Sequence, residues 1–550
     1  MRPTPSPTSS PVTSSPTIGD GTMAPSIAAA AITGLSVNWV GWTIFGCIAL
    51  LIIAFSFGFV RYYRIKGEPT GLTGFIGFIS LVFTLLSLFL IPIDIYLVNS
   101  KSYDDTLQNG VKYTYYAFYA FFMLCVFIGL PFGYFYYEEL GDTENPENTF
   151  CKRACAAFRF TIVTGIVWIA LIVIGLYVSF NVKDDSVDDK WTNTVANKFT
   201  SQADSIIPFC MAVLTCIGMF FAMIYTSWGL ASLPISFMRG QKIVAGADVD
   251  FVHNEMRKIT NEIDEINLKY RGRKSDMSRR EQIKLKNLQK KKEKLSKDVQ
   301  KVQNKVSQKG CFEKCGEKLW SVSTPIRYAI GVLLLGFSLI IIVSMGYHLI
   351  DQIINSDCHV KCGFAIDNPS RYNPMNYLLQ QTSKFFPMDY IFFTGLIFWL
   401  FLSSIVGIMT IGVRFICVKL FSLRAHATMH NALLMAIGFL ILVICSFNYL
   451  LFDLAASYMT YGSQGVTSKC TIDTNPEPGF TTCNATQIFY LISVILIGMP
   501  AFGLIYFILS WFFIFVFIIS FFYNIYKKPE SKMQKLLDND NDGLEPYFQD

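Results

Sequence analysis

Long apolar runs separated by short polar segments make up most of this chain. A helix that crosses about 30 Å of hydrocarbon needs roughly 20 apolar residues. Nine runs are long enough, at residues 37–60, 72–98, 113–135, 158–180, 206–230, 326–349, 386–411, 431–454 and 487–523. Composition agrees, because 52% of the 550 residues are hydrophobic and only 16% are charged. The pattern predicts an all-α polytopic membrane protein with nine transmembrane helices, for which membrane lipids are expected partners.

The ninth run is longer than one crossing requires and contains Gly498, Pro500 and Gly503 near its middle. It is compatible with one long kinked helix or with two short helices, since proline is tolerated in membrane helices whose neighbours satisfy the freed backbone. Cytoplasmic segments close to a membrane are rich in Lys and Arg. A tenth crossing would move the lysine-rich tail at 524–550 away from the side of the other basic loops, so nine crossings are predicted.

The same charge rule predicts how the chain is organised across the membrane. Five helices (37–230) and four helices (326–523) are separated by a basic cytosolic insert at 231–325, in a 5+4 arrangement. The N-terminal tail, residues 1–36, is rich in Pro, Ser and Thr, and we expect it to be disordered and lumenal. The C-terminal tail at 524–550 is then cytosolic.

The insert has a heptad pattern in addition to its positive charge. Apolar residues recur at alternating spacings of three and four from Val252 to Tyr270 and, with one polar exception, from Leu285 to Val306. This pattern is typical of a coiled coil, and the short Gly-containing turn between the two series predicts an antiparallel hairpin over about 248–308. The alternative is a pair of amphipathic helices packed on the transmembrane bundle. Either surface suits proteins such as trafficking adaptors rather than catalysis.

Two hydrophobic segments place the same Pro-x-Asp at one end. Pro92 precedes Asp94 in the last turn of helix two, and Pro387 precedes Asp389 in the first turn of helix seven. Because these two helices run in opposite directions, both carboxylates are predicted to lie at the lumenal boundary. The functional interpretation is a lumen-facing polar site between helices two and seven. The alternative is that each carboxylate anchors a helix end at the interface, where charge costs little.

Cysteines and a glycosylation motif support the predicted lumenal side. Cys358 and Cys362 share one lumenal loop, and Cys470 and Cys483 share another. Paired cysteines outside the cytosol are candidates for disulfides. The one N-x-[ST] motif begins at Asn484, in the second of these loops, which makes Asn484 a predicted glycosylation site.

Two further cysteine pairs lie on the predicted cytosolic side, next to the membrane. They are Cys151 with Cys155 and Cys311 with Cys315. Cysteines close to a membrane are candidates for palmitoylation. Four thiols are also a conceivable zinc site, but the Cys-x3-Cys spacing is unusual and no histidine is placed to assist. No metal site is therefore predicted.

Motifs for catalysis are scarce. The chain has no G-x-x-x-x-G-K-[ST] phosphate-binding loop and no H-E-x-x-H zinc motif. His348, near the outer end of helix six, is interpreted as a packed or interfacial residue. The acidic tail imitates a calcium loop, but Gln549 stands where its last ligand should be a glutamate. The sequence predicts no enzyme, no resident cofactor and no nucleic-acid partner, and it leaves a transporter, a receptor and a scaffold open.

Five short segments add information that composition and spacing do not contain. They are PIDIYLV at 92–98, PFGYFYYEE at 131–139, SLPISFMRG at 232–240, FFPMDY at 385–390 and YMTYGSQ at 458–464. Together and in this order they resemble the limb-region membrane protein family, which includes the lipocalin receptor. The resemblance covers nearly all of the chain outside both termini and is strongest to the lysosomal cobalamin transporter branch of that family.

The resemblance implies residence in the lysosomal membrane and export of cobalamin (vitamin B12) to the cytosol, with cobalamin as cargo rather than cofactor. It also implies cooperation with an ABC half-transporter, which would supply the ATP chemistry that this chain lacks. The alternative is a membrane receptor or trafficking adaptor, similar to the lipocalin receptor, that acts through its cytosolic hairpin. The resemblance favours export, whereas the scarcity of ionisable residues in mid-membrane favours the receptor or adaptor.

Overall fold

The computed structural model describes most of the hydrophobic segments and the loops closest to them. The described residues are 46–63, 71–99, 105–141, 150–181, 203–239, 324–356, 359–366, 373–415, 418–421, 430–464, 470–471 and 481–526, with eight single positions between 260 and 289. The tails at 1–36 and 527–550 and most of the insert, including the body of the predicted hairpin, lie outside them.

Helices account for nearly all of the described structure. In chain order they are α1 (Gly46–Tyr63), α2 (Gly71–Val98), α3 (Asp105–Leu124), α4 (Leu130–Gly141), α5 (Phe150–Asn181), α6 (Ala203–Arg239), α7 (Thr324–Asn355), α8 (Pro374–Thr382), α9 (Met388–Ile411), α10 (His430–Tyr461), α11 (Gln487–Gly498) and α12 (Pro500–Tyr526). Short strands form two small additions, an antiparallel pair β1 (Val413–Phe415) with β2 (Val418–Phe421) and a parallel pair β3 (Cys470–Thr471) with β4 (Thr481–Thr482).

Within the described ranges, nine helical segments are long and apolar enough to cross a membrane. A π-helical turn at Cys125–Gly129 joins α3 to α4, and the joined helix supplies one of these segments. Large apolar side chains such as Ile166, Leu333 and Phe515 are exposed on outward faces, where lipid replaces water as the solvent. The prediction of an all-α polytopic membrane protein is confirmed. The position of the insert on the cytosolic side, and with it the 5+4 arrangement, stays a prediction.

The ninth hydrophobic run forms two helices. The chain leaves helical geometry at Met499, where φ is −141° and ψ is 68°, and α12 begins at Pro500. α11 has 12 residues, and at 1.5 Å per residue it is about 18 Å long, too short for roughly 30 Å of hydrocarbon. α12 has 27 residues and is long enough alone. Of the two alternatives for this run, a break into two helices is therefore the observed one.

Several helices extend beyond the apolar runs that predicted them, and two of these extensions matter here. The eighth run was predicted to end at 454, but α10 continues to Tyr461 across one non-helical residue, Ala455 (φ −146°, ψ 53°). The fifth run was predicted to end at 230, but α6 continues to Arg239. Apolar residues beyond each predicted end allow both helices to continue. The longer α10 places Asp453 inside a helix, which matters below.

Few positions of the insert are described, and all eight are helical. Ile263 and Leu285, which belong to the two predicted heptad series, are buried. Asp264, Lys269 and Gln289, which do not belong to them, are exposed. The coiled-coil hairpin over 248–308 stays a prediction.

Two helices carry most of the packing in the bundle. α10 is buried along almost its whole length and contacts α2, α4, α6 and α7. α6 contacts α7, α9, α10 and α12. Because its side chains are buried on nearly every face, α10 lies in the interior of the bundle rather than against lipid. The sites described below are built around the second half of α10.

Glycines allow α6 and α9 to pack with their backbones in contact. A β-carbon added to Gly229 on α6 would overlap the carbonyl oxygen of Ser403 on α9, and one added to Gly407 on α9 would overlap that of Tyr225 on α6. Small residues at helix interfaces are common in membrane proteins, because the hydrophobic effect does not hold helices together in lipid.

A hydrogen bond and a third glycine reinforce this packing. Beside the glycine pair, the hydroxyls of Thr226 and Ser404 join α6 to α9 at 2.8 Å. Gly218 of α6 approaches the backbone of Leu442 on α10 in the same way. α6 therefore fixes the positions of α9 and α10 through backbone contacts that tolerate no larger side chain.

We predict that Gly407→Ala destabilises the folded protein by about 1–3 kcal/mol or more, because the added methyl overlaps the α6 backbone. The measurement is the melting temperature of the purified protein in lipid nanodiscs. Gly395→Ala is the matched control, since Gly395 lies on the same helix and has open space around its α-carbon. An equal melting temperature for Gly407→Ala and the control would contradict this account of the interface.

Candidate functional site

Asp94 lies near the C-terminus of α2, where the helix dipole disfavours a negative charge. Its side chain is 0% exposed. The carboxylate accepts hydrogen bonds from the backbone N–H groups of Gln487, at 3.3 Å, and Ile488, at 3.0 Å, in the first turn of α11. The hydroxyl of Tyr115 lies 3.5 Å away and donates a third, longer bond. The N-terminus of α11 thus supplies the partner that Asp94 lacks in its own helix.

Thr486 completes the N-terminus of α11 and ties it to α10. Its hydroxyl oxygen accepts a hydrogen bond from the backbone N–H of Phe489, at 3.2 Å, which makes Thr486 the N-cap of α11. The same hydroxyl donates to the carbonyl oxygen of Met459 near the end of α10, at 2.6 Å. With Asp94, this cap satisfies the first three exposed N–H groups of a helix that begins in a buried position.

Asp389 lies in the first turn of α9 and bonds to a different element. Its Oδ2 accepts a hydrogen bond from the hydroxyl of Tyr458 on α10, at 2.9 Å. The other carboxylate oxygen is buried without a hydrogen-bond partner. A carboxylate in a first turn is favoured by the dipole of its own helix, and spacing along the sequence does not reveal the side-chain bond from α10.

The ends of α2 and α9 do meet, as predicted for helices two and seven, but not through their carboxylates. The side chain of Asn99, just after α2, donates to the hydroxyl of Tyr390 on α9, at 2.9 Å. The rings of Tyr96 and Tyr390 pack edge to face with centroids 5.8 Å apart. Asp94 bonds to α11, while Asp389 bonds to α10. This arrangement favours two helix-end anchors, and the shared lumenal polar site stays a prediction.

Three of the five segments behind the family resemblance come together at this end of α10. Asp94 belongs to PIDIYLV, Asp389 to FFPMDY and Tyr458 to YMTYGSQ. Gln464, at the end of the third segment, donates to the carbonyl oxygens of Val98, at 3.4 Å, and Asn484, at 3.1 Å. We call this group of contacts the terminal cluster. It joins α2, α9, α10 and the loop before α11.

The loop before α11 contains one of the two predicted disulfides. Cys470 and Cys483 are joined by a disulfide, with their α-carbons 5.3 Å apart. Asn484, which follows directly, is exposed, and its glycosylation stays a prediction. Cys362 is disulfide-bonded, and its predicted partner Cys358 lies outside the described residues.

The predicted palmitoylation sites lie on the other side of the bundle in the predicted topology. Cys151 and Cys155, at the start of α5, are free and exposed. Cys311 and Cys315 lie outside the described residues. Acylation of these thiols stays a prediction.

A second polar group lies deeper in the bundle, and sequence reasoning missed it. Asp453 on α10 is 0% exposed, and its Oδ2 accepts a hydrogen bond from the hydroxyl of Ser510 on α12, at 2.6 Å. Its Oδ1 faces Nε2 of His348 on α7 across 3.8 Å. His348, interpreted above as packed or interfacial, is therefore a buried residue that faces a carboxylate. We call Asp453, His348 and Ser510 the inner triad.

The signal for the inner triad was present in the sequence but weak. An acidic residue in an apolar segment is costly and usually marks a functional site. Asp453 was overlooked because the eighth run was predicted to end one residue later, which made this carboxylate look terminal. No spacing rule connects Asp453 with His348 or Ser510, because the three residues come from three separate helices.

The terminal cluster leads to a direct prediction for Asp94. Asp94→Asn keeps the shape of the side chain but removes the charge that complements the N-terminus of α11, and should destabilise the protein by about 1–2 kcal/mol. The melting temperature in nanodiscs should fall accordingly. The effect of adding Asp389→Asn should be additive, since the two carboxylates bond to different elements. A double variant no less stable than Asp94→Asn alone would instead indicate one shared site.

Comparison with known proteins agrees with the resemblance of the five segments. The family profile described as LMBR1-like membrane protein matches residues 41–323. A probable lysosomal cobalamin transporter of Dictyostelium discoideum is 31% identical over 524 residues, which cover 92% of this chain and 99% of that protein. No solved structure gives a significant match.

Animal relatives are similar over the same length. The lysosomal cobalamin transport escort protein LMBD1 of Xenopus laevis is 27% identical over 547 residues, covering 93% of this chain and 98% of that protein. A probable lysosomal cobalamin transporter of Nematostella vectensis is 27% identical over 544 residues, covering 92% and 97%. The resemblance is confirmed, and the chain belongs to the LMBR1-like membrane protein family.

Proposed function

We propose that this protein takes part in the export of cobalamin from the lysosome to the cytosol, as an escort within a transport complex. The observation that carries the proposal is end-to-end similarity to relatives that bear transporter or escort names in amoeba, sea anemone and frog. The similarity extends over both halves of the bundle. The multi-pass helical architecture suits a resident of the lysosomal membrane.

The packing of the bundle supports the escort form of this role. One cavity lies between α3, α6, α10, α11 and α12, and another lies between α2, α3 and α10. The space open to a water-sized sphere in each is about 10 Å³, roughly the lower limit for holding one water molecule. Pockets of roughly 300–1,000 Å³ hold drug-sized ligands, and cobalamin, with its corrin ring and nucleotide loop, is larger than such ligands. Neither cavity is large enough to carry it through the bundle.

An escort needs a partner that supplies energy and a path. This chain has no phosphate-binding loop of the G-x-x-x-x-G-K-[ST] type, so it does not hydrolyse ATP by that mechanism. We therefore assign ATP hydrolysis to an ABC half-transporter of the same membrane. The basic insert is the natural surface for cytosolic adaptors, because it is tethered to the bundle at both ends and has the heptad pattern of a protein-binding helix pair.

The role predicts a defined transport defect. Lysosomes isolated from cells that lack this protein should retain labelled cobalamin in the presence of ATP, and re-expression should restore its release. Re-expression of Gly395→Ala is a control that should restore release as the wild type does, because this substitution alters an open position on α9. Normal release from lysosomes without the protein would contradict any role in export and would favour the receptor or adaptor.

Reconstitution separates an escort from a conduit. Liposomes that contain this protein alone should show no more cobalamin flux than empty liposomes. Liposomes that also contain the half-transporter should show ATP-dependent flux that exceeds the flux of the half-transporter alone. Cobalamin flux through this protein alone would overturn the escort form while leaving the role in export intact.

A further inference from the structure

The inner triad combines ionisable groups with nearly complete burial. His348, Asp453 and Ser510 come from three helices and are all less than 4% exposed. Only one oxygen of Asp453 has a hydrogen bond of normal length, from Ser510. The other oxygen of Asp453 and Nε2 of His348 face each other at 3.8 Å without a hydrogen-bond partner. A buried polar group without a partner is costly, so this gap requires an explanation.

A polar stripe on α7 connects the triad with the end of that helix. His348, Asp351, Gln352 and Asn355 are spaced three, four and seven residues from the first, which places them on one helix face. Asn355 is exposed and donates to Oδ1 of Asp351, at 2.6 Å. Asp351 in turn lies close enough to His348 to interact with it electrostatically. The stripe therefore places four polar side chains on one face of α7, between the end of that helix and the triad.

The backbone around Asp453 is broken in a way that other membrane proteins use at ion sites. Ala455 interrupts α10 two residues after Asp453, and Met499 interrupts the chain between α11 and α12. Discontinuous helices in transporters commonly border sites for coupling ions or protons. Here the interruption in α10 lies two residues from the carboxylate that faces the imidazole of His348.

Other titratable groups surround the pair on several sides. Asp351 lies on α7, and Tyr449 on α10 is close to Asp453. The ring of Tyr506 on α12 packs on that of Tyr449, with centroids 4.6 Å apart. Tyr119 of α3 and Cys216 of α6 lie beyond Tyr506. None of these groups is a cation at physiological pH, so His348 is the positive partner available to Asp453 in this set.

We propose that His348 and Asp453 form a buried proton-binding site, which exchanges its proton along the polar stripe of α7. One proton enters the gap between Nε2 and Oδ1 and is held by the pair as a unit. Without it the carboxylate beside a neutral imidazole carries one negative charge. With it the pair is neutral overall, and the proton rests on the carboxylate, because an ion pair of two buried charges costs more in an apolar interior than a neutral acid beside a neutral imidazole. The site is independent of the proposed role in cobalamin export.

Infrared difference spectroscopy tests the site in the full-length protein in nanodiscs. On a step from neutral to acidic buffer, a protonated buried carboxylic acid gives a C=O stretching band that is separate from the amide bands. Asp453→Asn should remove the Asp453 component of this band, and His348→Gln should shift its titration midpoint. Glu138→Gln, which alters a carboxylate on α4 that bonds to Asn431, should leave the component and its midpoint unchanged.

Ser510→Ala provides a second test of the site, which can be used if Asp453→Asn does not fold. Ser510→Ala keeps the carboxylate but removes its hydrogen bond, so the component should remain while its midpoint moves to higher pH. The titration midpoint of the Asp453 band should be the same in sodium chloride and in choline chloride. A spectrum of folded Asp453→Asn identical to that of the wild type would overturn the proposal. A midpoint that moves with sodium concentration would also overturn it, by showing a metal-cation site instead.

Discussion

The arrangement of this bundle depends on one constraint, which is that a carboxylate in an apolar interior must be given partners by the fold itself. Asp94 accepts hydrogen bonds from the N-terminus of α11, and Asp389 accepts one from the hydroxyl of Tyr458. Asp453 accepts a hydrogen bond from the hydroxyl of Ser510, and its second oxygen faces the imidazole of His348. The first two solutions hold helix ends in place. The third leaves a group that can still take up a proton.

Asp453 lies in the second half of α10, and Asp389 bonds to that helix through Tyr458. Asp94 holds the start of α11, which Thr486 ties to α10. The end of α10 is joined to α2, α9 and α11 by the terminal cluster, while α6 holds α9 and α10 through backbone contacts at glycines. A bundle fixed in this way has little room for a large cargo. A rigid partner that positions or protects a transporter is consistent with such packing, and membership in the LMBR1-like family places this protein among relatives with escort and transporter names.

The membrane helices and the carboxylates at their ends were predictable from the sequence, for physical reasons. Apolar runs report membrane helices directly, because only length and hydropathy matter for crossing a bilayer. The Pro-x-Asp segments located both carboxylates of the terminal cluster at helix ends. Their partners were not predictable, since Asp94 bonds to residues almost 400 positions later along the chain. Asp453 was missed because hydropathy placed the end of its helix too early, and its pairing with His348 arises only from the packing of α7 against α10.

The most direct measurement compares the melting temperatures of Asp94→Asn and Asp453→Asn with that of the wild type in nanodiscs at neutral pH. If Asp94 is an anchor, its replacement removes a favourable charge and lowers the melting temperature. If Asp453 belongs to a proton site, Asn removes a buried charge that the fold neutralises only in part, and functional sites of this kind reduce stability. Asp453→Asn is therefore expected to melt at the wild-type temperature or above it. An equal fall for both variants would contradict the account, because it would make Asp453 another anchor.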